Sequence, residues 1–225
     1  MAGRWSMLTQ ADTGDGLLEL RHHDSGSFLI TIDGRVLMDS HANRSETALA
    51  EFACSKLKRR SPRVLIGGLG MGCTLRAALD ALPTDARVDV CELNETIVEW
   101  CRGPLETVSG GALADPRVRV KLGDVAALIA ARAGDSKQAR FDGILLDLYE
   151  GPRAGTKPDA DPLYGSRALA RTRQALAPRG VFAVWAEDPD AAFERRLGQA
   201  GFAVDLHRPG RGGRRHAVYL GTLKS

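Results

Sequence analysis

The stretch Val64-Leu65-Ile66-Gly67-Gly68-Leu69-Gly70-Met71-Gly72 decides how this chain folds. Three aliphatic residues with no polar neighbour between them read as a short strand buried on both faces. Glycines then end the strand, and the apolar pattern over 74–82 reads as a helix stopped by Pro83. Glycine admits positive φ and lets a ligand approach the backbone closely, while the following helix N-terminus supplies unpaired N–H groups. Taken alone, the same pattern also suits a plain strand-to-helix turn.

Outward from this turn the rhythm repeats. Strands are expected at 88–91, 118–120, 143–146 and 181–185, and helices at 45–57, with Ser45 as cap, 95–105, 126–133, 166–176 and 191–200. Alternation of this kind predicts a mostly parallel, doubly wound α/β sheet covered on both faces. The last two runs, 202–206 and 217–220, flank Pro209-Gly210-Arg211-Gly212-Gly213 and read as a closing antiparallel hairpin. Before residue 44 the pattern differs. Runs at 17–21, 28–32 and 36–38, the last two joined by Asp33-Gly34, predict a small antiparallel β appendage. The expected division is therefore a β-hairpin region over 1–43 and a nucleoside-binding α/β domain over 44–225.

At 225 residues and 44% hydrophobic, the chain is long enough for one well-buried domain plus an appendage. A net charge of +3 is weak for a dedicated nucleic-acid binder. The basic clusters at 56–60 and 208–215 read as solvated surface, and Arg208, Arg211, Arg214 and Arg215 lack an aromatic stacking platform, so nucleic acid is not an expected partner. Cys54, Cys73, Cys91 and Cys101 form no C-x-x-C pair and match no histidine at zinc spacing; no metal is expected. Neither an apolar leader nor a membrane-length segment is visible, which gives a cytoplasmic expectation.

Three acids give the glycine turn its meaning. Glu92 ends the second parallel strand, where a carboxylate can accept both ribose hydroxyls. Leu93 follows it. Asp124, after Gly123, ends the third strand, where an acid can accept from an adenine amino group. Asp147 ends the fourth and faces the crevice at the carboxyl ends of the strands. Three acids at consecutive strand ends indicate a nucleoside site built from Gly67, Gly68, Gly70, Met71, Gly72, Glu92, Leu93, Gly123, Asp124 and Asp147. Tyr149 and Glu150 are candidates to hold an acceptor, with Asp147 orienting it or taking its proton. The 150–163 loop is long enough for a lid.

These residues resemble the spermidine synthase family of aminopropyltransferases. The resemblance runs through Val64–Gly68, Thr74-Leu75-Arg76, Val90-Cys91-Glu92-Leu93, Asp115-Pro116-Arg117-Val118, Gly123-Asp124, 141–147 and 175–181. It implies a class I methyltransferase-type fold preceded by a small β domain, and a site for decarboxylated S-adenosylmethionine or a relative. Glu92 would hold the ribose, Asp124 the adenine, and Asp147 would sit beside the reacting centre. A homodimer is implied in the same way. The departures are specific. That family's loop reads G-G-G-D-G-G, its aspartate holding the aminopropyl ammonium, and aligning the following Leu-Arg pair puts Met71 there. The D-S-S-D-P loop becomes Asp147-Leu148-Tyr149-Glu150-Gly151-Pro152, and of the Tyr-His pair before the first core helix only Glu46 is left nearby. Without the ammonium anchor, N–H groups near Gly70–Gly72 would be open to the carboxylate of intact S-adenosylmethionine. The expected function is thus methyl transfer to a small amine-type acceptor. The alternatives are aminopropyl transfer from the decarboxylated nucleoside and a non-catalytic nucleoside-binding protein.

Overall fold

The computed structural model of the chain describes residues 3–149, 151–153, 158–210 and 216–224. Two sheets carry the fold. The first has the order β1-β2-β3-β4, formed by Trp5–Thr13, Gly16–His23, Phe28–Ile32 and Arg35–Asp39, each antiparallel to the next. The Asp33-Gly34 turn is the expected two-residue hairpin, with φ of 46° and 76° at its two positions. The strand β1 was not anticipated. It is an edge strand that is exposed along most of its length, so its sequence lacks the alternation a half-buried strand shows. His22 and His23 end β2.

The second sheet has the order β10-β11-β9-β8-β5-β6-β7. Its strands are β5 (Arg63–Gly67), β6 (Arg87–Glu92), β7 (Val118–Leu122), β8 (Phe141–Leu146), β9 (Leu176–Ala186), β10 (Phe202–His207) and β11 (Ala217–Leu223). β5 through β9 pair in parallel, and β11 runs antiparallel between β9 and β10, as the closing hairpin predicted. The helices are α1 (Arg44–Lys56), α2 (Cys73–Ala81), α3 (Glu95–Arg102), α4 (Val125–Gly134), α5 (Ser166–Ala175) and α6 (Ala191–Gln199).

Side-chain parity explains the two-faced burial of the central strands. Val64 and Ile66 join one core cluster with α1 and α2, whereas Leu65 enters a second with α4, α5 and α6. All three are fully buried, each burial contributing roughly 1.5–3 kcal/mol. Two local expectations are corrected. Asn43, not Ser45, is the α1 N-cap residue; Ser45 lies in the first turn and donates to Glu46 Oε2 at 2.7 Å. α3 ends at Arg102 because Gly103 leaves helical φ/ψ and Pro104 has no N–H to continue the ladder.

Candidate functional site

The winding of the sheet reverses between β5 and β8, so the carboxyl ends of these adjacent strands open a crevice. A cavity of about 230 Å³ lies there. Its floor carries Gly68, Gly70, Glu92 and Asp147, its side walls Glu46, Ile97, Leu148, Tyr149 and Trp185, and its roof Ile30, Leu37 and Met38 from the small sheet.

One glycine is required by the backbone that stands against it, and a second is favoured by its left-handed φ of +51°. A Cβ on Gly68, where φ is +88°, would lie 2.2 Å from the carbonyl oxygen of Asp147. One on Gly70 would meet Met38 Sδ at 2.6 Å. The first contact holds the β5 turn against the β8 end, fastened further by the Asp147 N–H donating to Gly67 O at 2.9 Å. The second makes Met38 the residue that closes the loop from above.

Glu92 pins the turn from the other side. Oε2 accepts the Leu69 N–H at 2.8 Å and Oε1 the Asn94 N–H at 2.9 Å. Each oxygen keeps a lone pair, which fits a ribose diol between them. Asp147 sits deeper. Thr74, in the first turn of α2, donates from Oγ1 to Asp147 Oδ2 at 2.5 Å and lies 3.3 Å from the Glu46 carbonyl oxygen. Burial first, and then the Glu46 carboxylate, raise the Asp147 pKa to about 7, with the Thr74 hydroxyl opposing both. Thr74 suits either protonation state: it donates to the carboxylate, or accepts from the acid and turns its own proton toward Glu46. Burial also pushes the nearby Cys73 thiol up to about 11 and Cys101 to about 12, so neither supplies a thiolate.

The predicted residues divide. Gly68, Gly70, Glu92, Asp147 and Tyr149 line the cavity, as does Trp185. Met71 is corrected: its side chain is fully buried in the core and presents nothing to the cavity. Gly67 is buried in β5, and Gly72 is the left-handed N-cap residue of α2, packed against Ser109. Leu93 is 65% exposed. Gly123 donates its N–H to Glu92 O, and the exposed Asp124 accepts the Ala126 N–H at 2.8 Å as the α4 cap; these three stand beside the cavity, outside its lining. Glu150 lies outside the described residues, as do Arg211, Arg214 and Arg215. Thr74, Ile97 and the apolar roof were missed. Thr74 had a signal, since it opens the Thr-Leu-Arg run already matched to the family.

The open N–H cradle is also corrected. Met71 N–H is directed at Met38 Sδ at 3.1 Å, Gly72 N–H donates to Leu69 O at 2.7 Å, and Leu69 N–H is held by Glu92. Three of the four N–H groups from Leu69 to Gly72 already have acceptors. Among the described residues no helix is long and apolar enough to cross a membrane, and no group of three metal-ligating side chains occurs.

Residues 44–195 match the model of the spermine/spermidine synthase domain family. A polyamine aminopropyltransferase from Mycobacterium tuberculosis is 33% identical over 147 residues, covering 63% of this chain and 27% of the relative. A putrescine N-methyltransferase from Nicotiana tabacum is 33% identical over 128 residues, covering 56% of this chain and 30% of the relative. The chain thus spans less than a third of either relative. The crystal structure of spermidine synthase from Thermotoga maritima superposes with a TM-score of 0.74 at 21% identity, over 96% of this chain and 72% of that one.

Proposed function

Given that the chain belongs to the spermine/spermidine synthase domain family, we propose that it transfers an aminopropyl group from decarboxylated S-adenosylmethionine to an amine. This reverses the preference for methyl transfer, which rested on free N–H groups in the glycine turn. With those of Leu69, Met71 and Gly72 already engaged, the loop offers a poor cradle for a carboxylate. The observation that carries the reading is the acidic end of the cavity, Asp147 with Glu46 beside it, which favours a cationic tail or an amine and opposes an anionic one.

On this reading the residues around the cavity divide the labour. Glu92 holds the ribose hydroxyls, and Gly68 and Gly70 let the sulfonium nucleoside lie against the backbone. The sulfonium supplies the electrophile. Asp147, titrating near neutrality, accepts the proton that the amine nitrogen sheds as its lone pair attacks the carbon beside sulfur. The C–S bond breaks onto sulfur, which leaves as a neutral thioether. Positioning supplies most of the remaining acceleration.

The test is incubation with decarboxylated S-adenosylmethionine and primary amines, read by mass spectrometry. Aminopropylated amine together with methylthioadenosine is expected; absence of both sinks the proposal. The tobacco relative's name favours a second reading, methyl transfer to an amine. That reading requires S-adenosylhomocysteine formation from intact S-adenosylmethionine in the same assay.

A further inference from the structure

We propose that a groove at the amino ends of β5, β6 and β7 is a second binding site, built for an oligophosphate chain and independent of the transferase reading. Its cavity of about 480 Å³ lies at the opposite strand ends from the crevice; the length of β5, about 13 Å, separates Arg63 from Gly67. α4 covers only the carboxyl half of this sheet face, where Leu65 and Cys91 pack with Val125 and Ile129, and it stops at Gly134. Strand parity puts Arg63, Arg87, Arg119 and Lys121 on the same face as Leu65. Arg132 and Lys137 line the groove from the helix side.

Six cationic side chains thus face a single carboxylate, Asp89. The register makes this costly. Arg63 stands directly beside Arg87 on the neighbouring strand, and Asp89, beside Arg119, offsets one cation at most. Among the described residues, none of the six forms an ion pair. The nearby acids are engaged elsewhere. Buried Asp142 accepts the Arg63 backbone N–H at 2.8 Å and Arg59 Nη1 at 3.4 Å, while Asp135 accepts the Lys137 N–H and Gln138 Nε2, each at 2.9 Å. Arg132 is already oriented: its guanidinium carbon lies 4.2 Å from the Phe141 ring centroid, and Nη1 donates to Ala139 O at 2.6 Å. Arginine forks match phosphate oxygens, and closely spaced cations match linked phosphates better than a single one. Phe141, the one aromatic residue of the lining, is buried with its face under Arg132, so no ring is offered to a base.

The test titrates the full chain with inorganic tripolyphosphate, by calorimetry at about 0.15 M salt, where charges beyond about 8 Å are screened. Saturable binding is expected, weakened at least about tenfold by Arg87→Glu and by Arg119→Glu but unchanged by Arg167→Glu on the exposed surface of α5. No binding, or equal loss in all three variants, overturns the site. Arg87→Glu also removes a like-charged neighbour of Arg63, so without ligand it should melt no lower than the parent. A lower midpoint would show that the fold itself uses the cationic row, and overturns the proposal. Orthophosphate should bind at least about tenfold more weakly than tripolyphosphate; equal binding overturns the assignment to a chain. ATP separates a free chain from a nucleotide's. The part of its affinity that Arg87→Glu removes should match tripolyphosphate within about threefold, and a preference for ATP of about tenfold overturns recognition of phosphate alone. Oligouridylate is the last arm, and Arg87-dependent binding of it tighter than that of tripolyphosphate overturns the proposal in favour of nucleic acid.

Discussion

Replacing Asp147 with Asn should abolish turnover and, above neutral pH, make the protein more stable. The folded protein holds the Asp147 proton up to about pH 7, whereas an unperturbed aspartate releases it at 3.8. That displacement corresponds to roughly 4 kcal/mol of preference for the protonated form. Water reaching the partly open cavity reduces the realised figure to about 1–3 kcal/mol. The sign follows from proton binding. The folded state binds more protons than the unfolded state between these two values, so stability falls as pH rises through that window and the loss is complete above about 7. The Asp147→Asn variant carries no charge and keeps an acceptor for Thr74. It should therefore exceed the parent by about 1–3 kcal/mol near pH 8.5, with the advantage shrinking by about half near pH 5. Urea denaturation at both pH values, with m unchanged, reads this as a shift in midpoint. A variant no more stable than the parent near pH 8.5, or a difference independent of pH, would refute the reasoning.

The same carboxyl governs the pH–rate profile, whose acid limb should lie near 7. Glu46→Gln removes the like charge and should move that limb to lower pH, whereas Thr74→Val removes the hydrogen bond that favours the carboxylate and should move it higher; initial rates across pH check both signs. Gly68→Ala forces a Cβ onto the Asp147 carbonyl at positive φ, and should cost about 2–4 kcal/mol in thermal unfolding while weakening nucleoside binding. Glu92→Gln leaves one of the Leu69 and Asn94 N–H groups without its acceptor, and calorimetry should find nucleoside binding weaker by about 10–100-fold.

Much of the fold was legible because its signals are local. Aliphatic runs bounded by glycine and proline located the parallel strands, and the Pro209–Gly213 segment between two apolar runs located the antiparallel closing pair. β1 was not legible, since an exposed edge strand buries no face and so writes no period into the sequence. The cavity floor was legible for a similar reason: Glu92 and Asp147 stand at strand ends, where the topology of an open sheet aims them into the crevice. Its roof was not. Ile30, Leu37 and Met38 reach the cavity across chain separations that no periodicity encodes, and in sequence they read only as alternating strand residues. Met71 was misread for the same cause. Alignment placed it at an anchor position, but the left-handed backbone at Gly70 and Gly72 turns its side chain into the core and leaves Met38 over the loop.

Parallel calorimetric titration with decarboxylated and intact S-adenosylmethionine tests aminopropyl transfer most directly, because the two nucleosides differ only in the carboxylate that the acidic cavity disfavours. Tighter binding of the decarboxylated form by at least about tenfold, or roughly 1.4 kcal/mol, is the expected result. Equal or tighter binding of the intact form would contradict it.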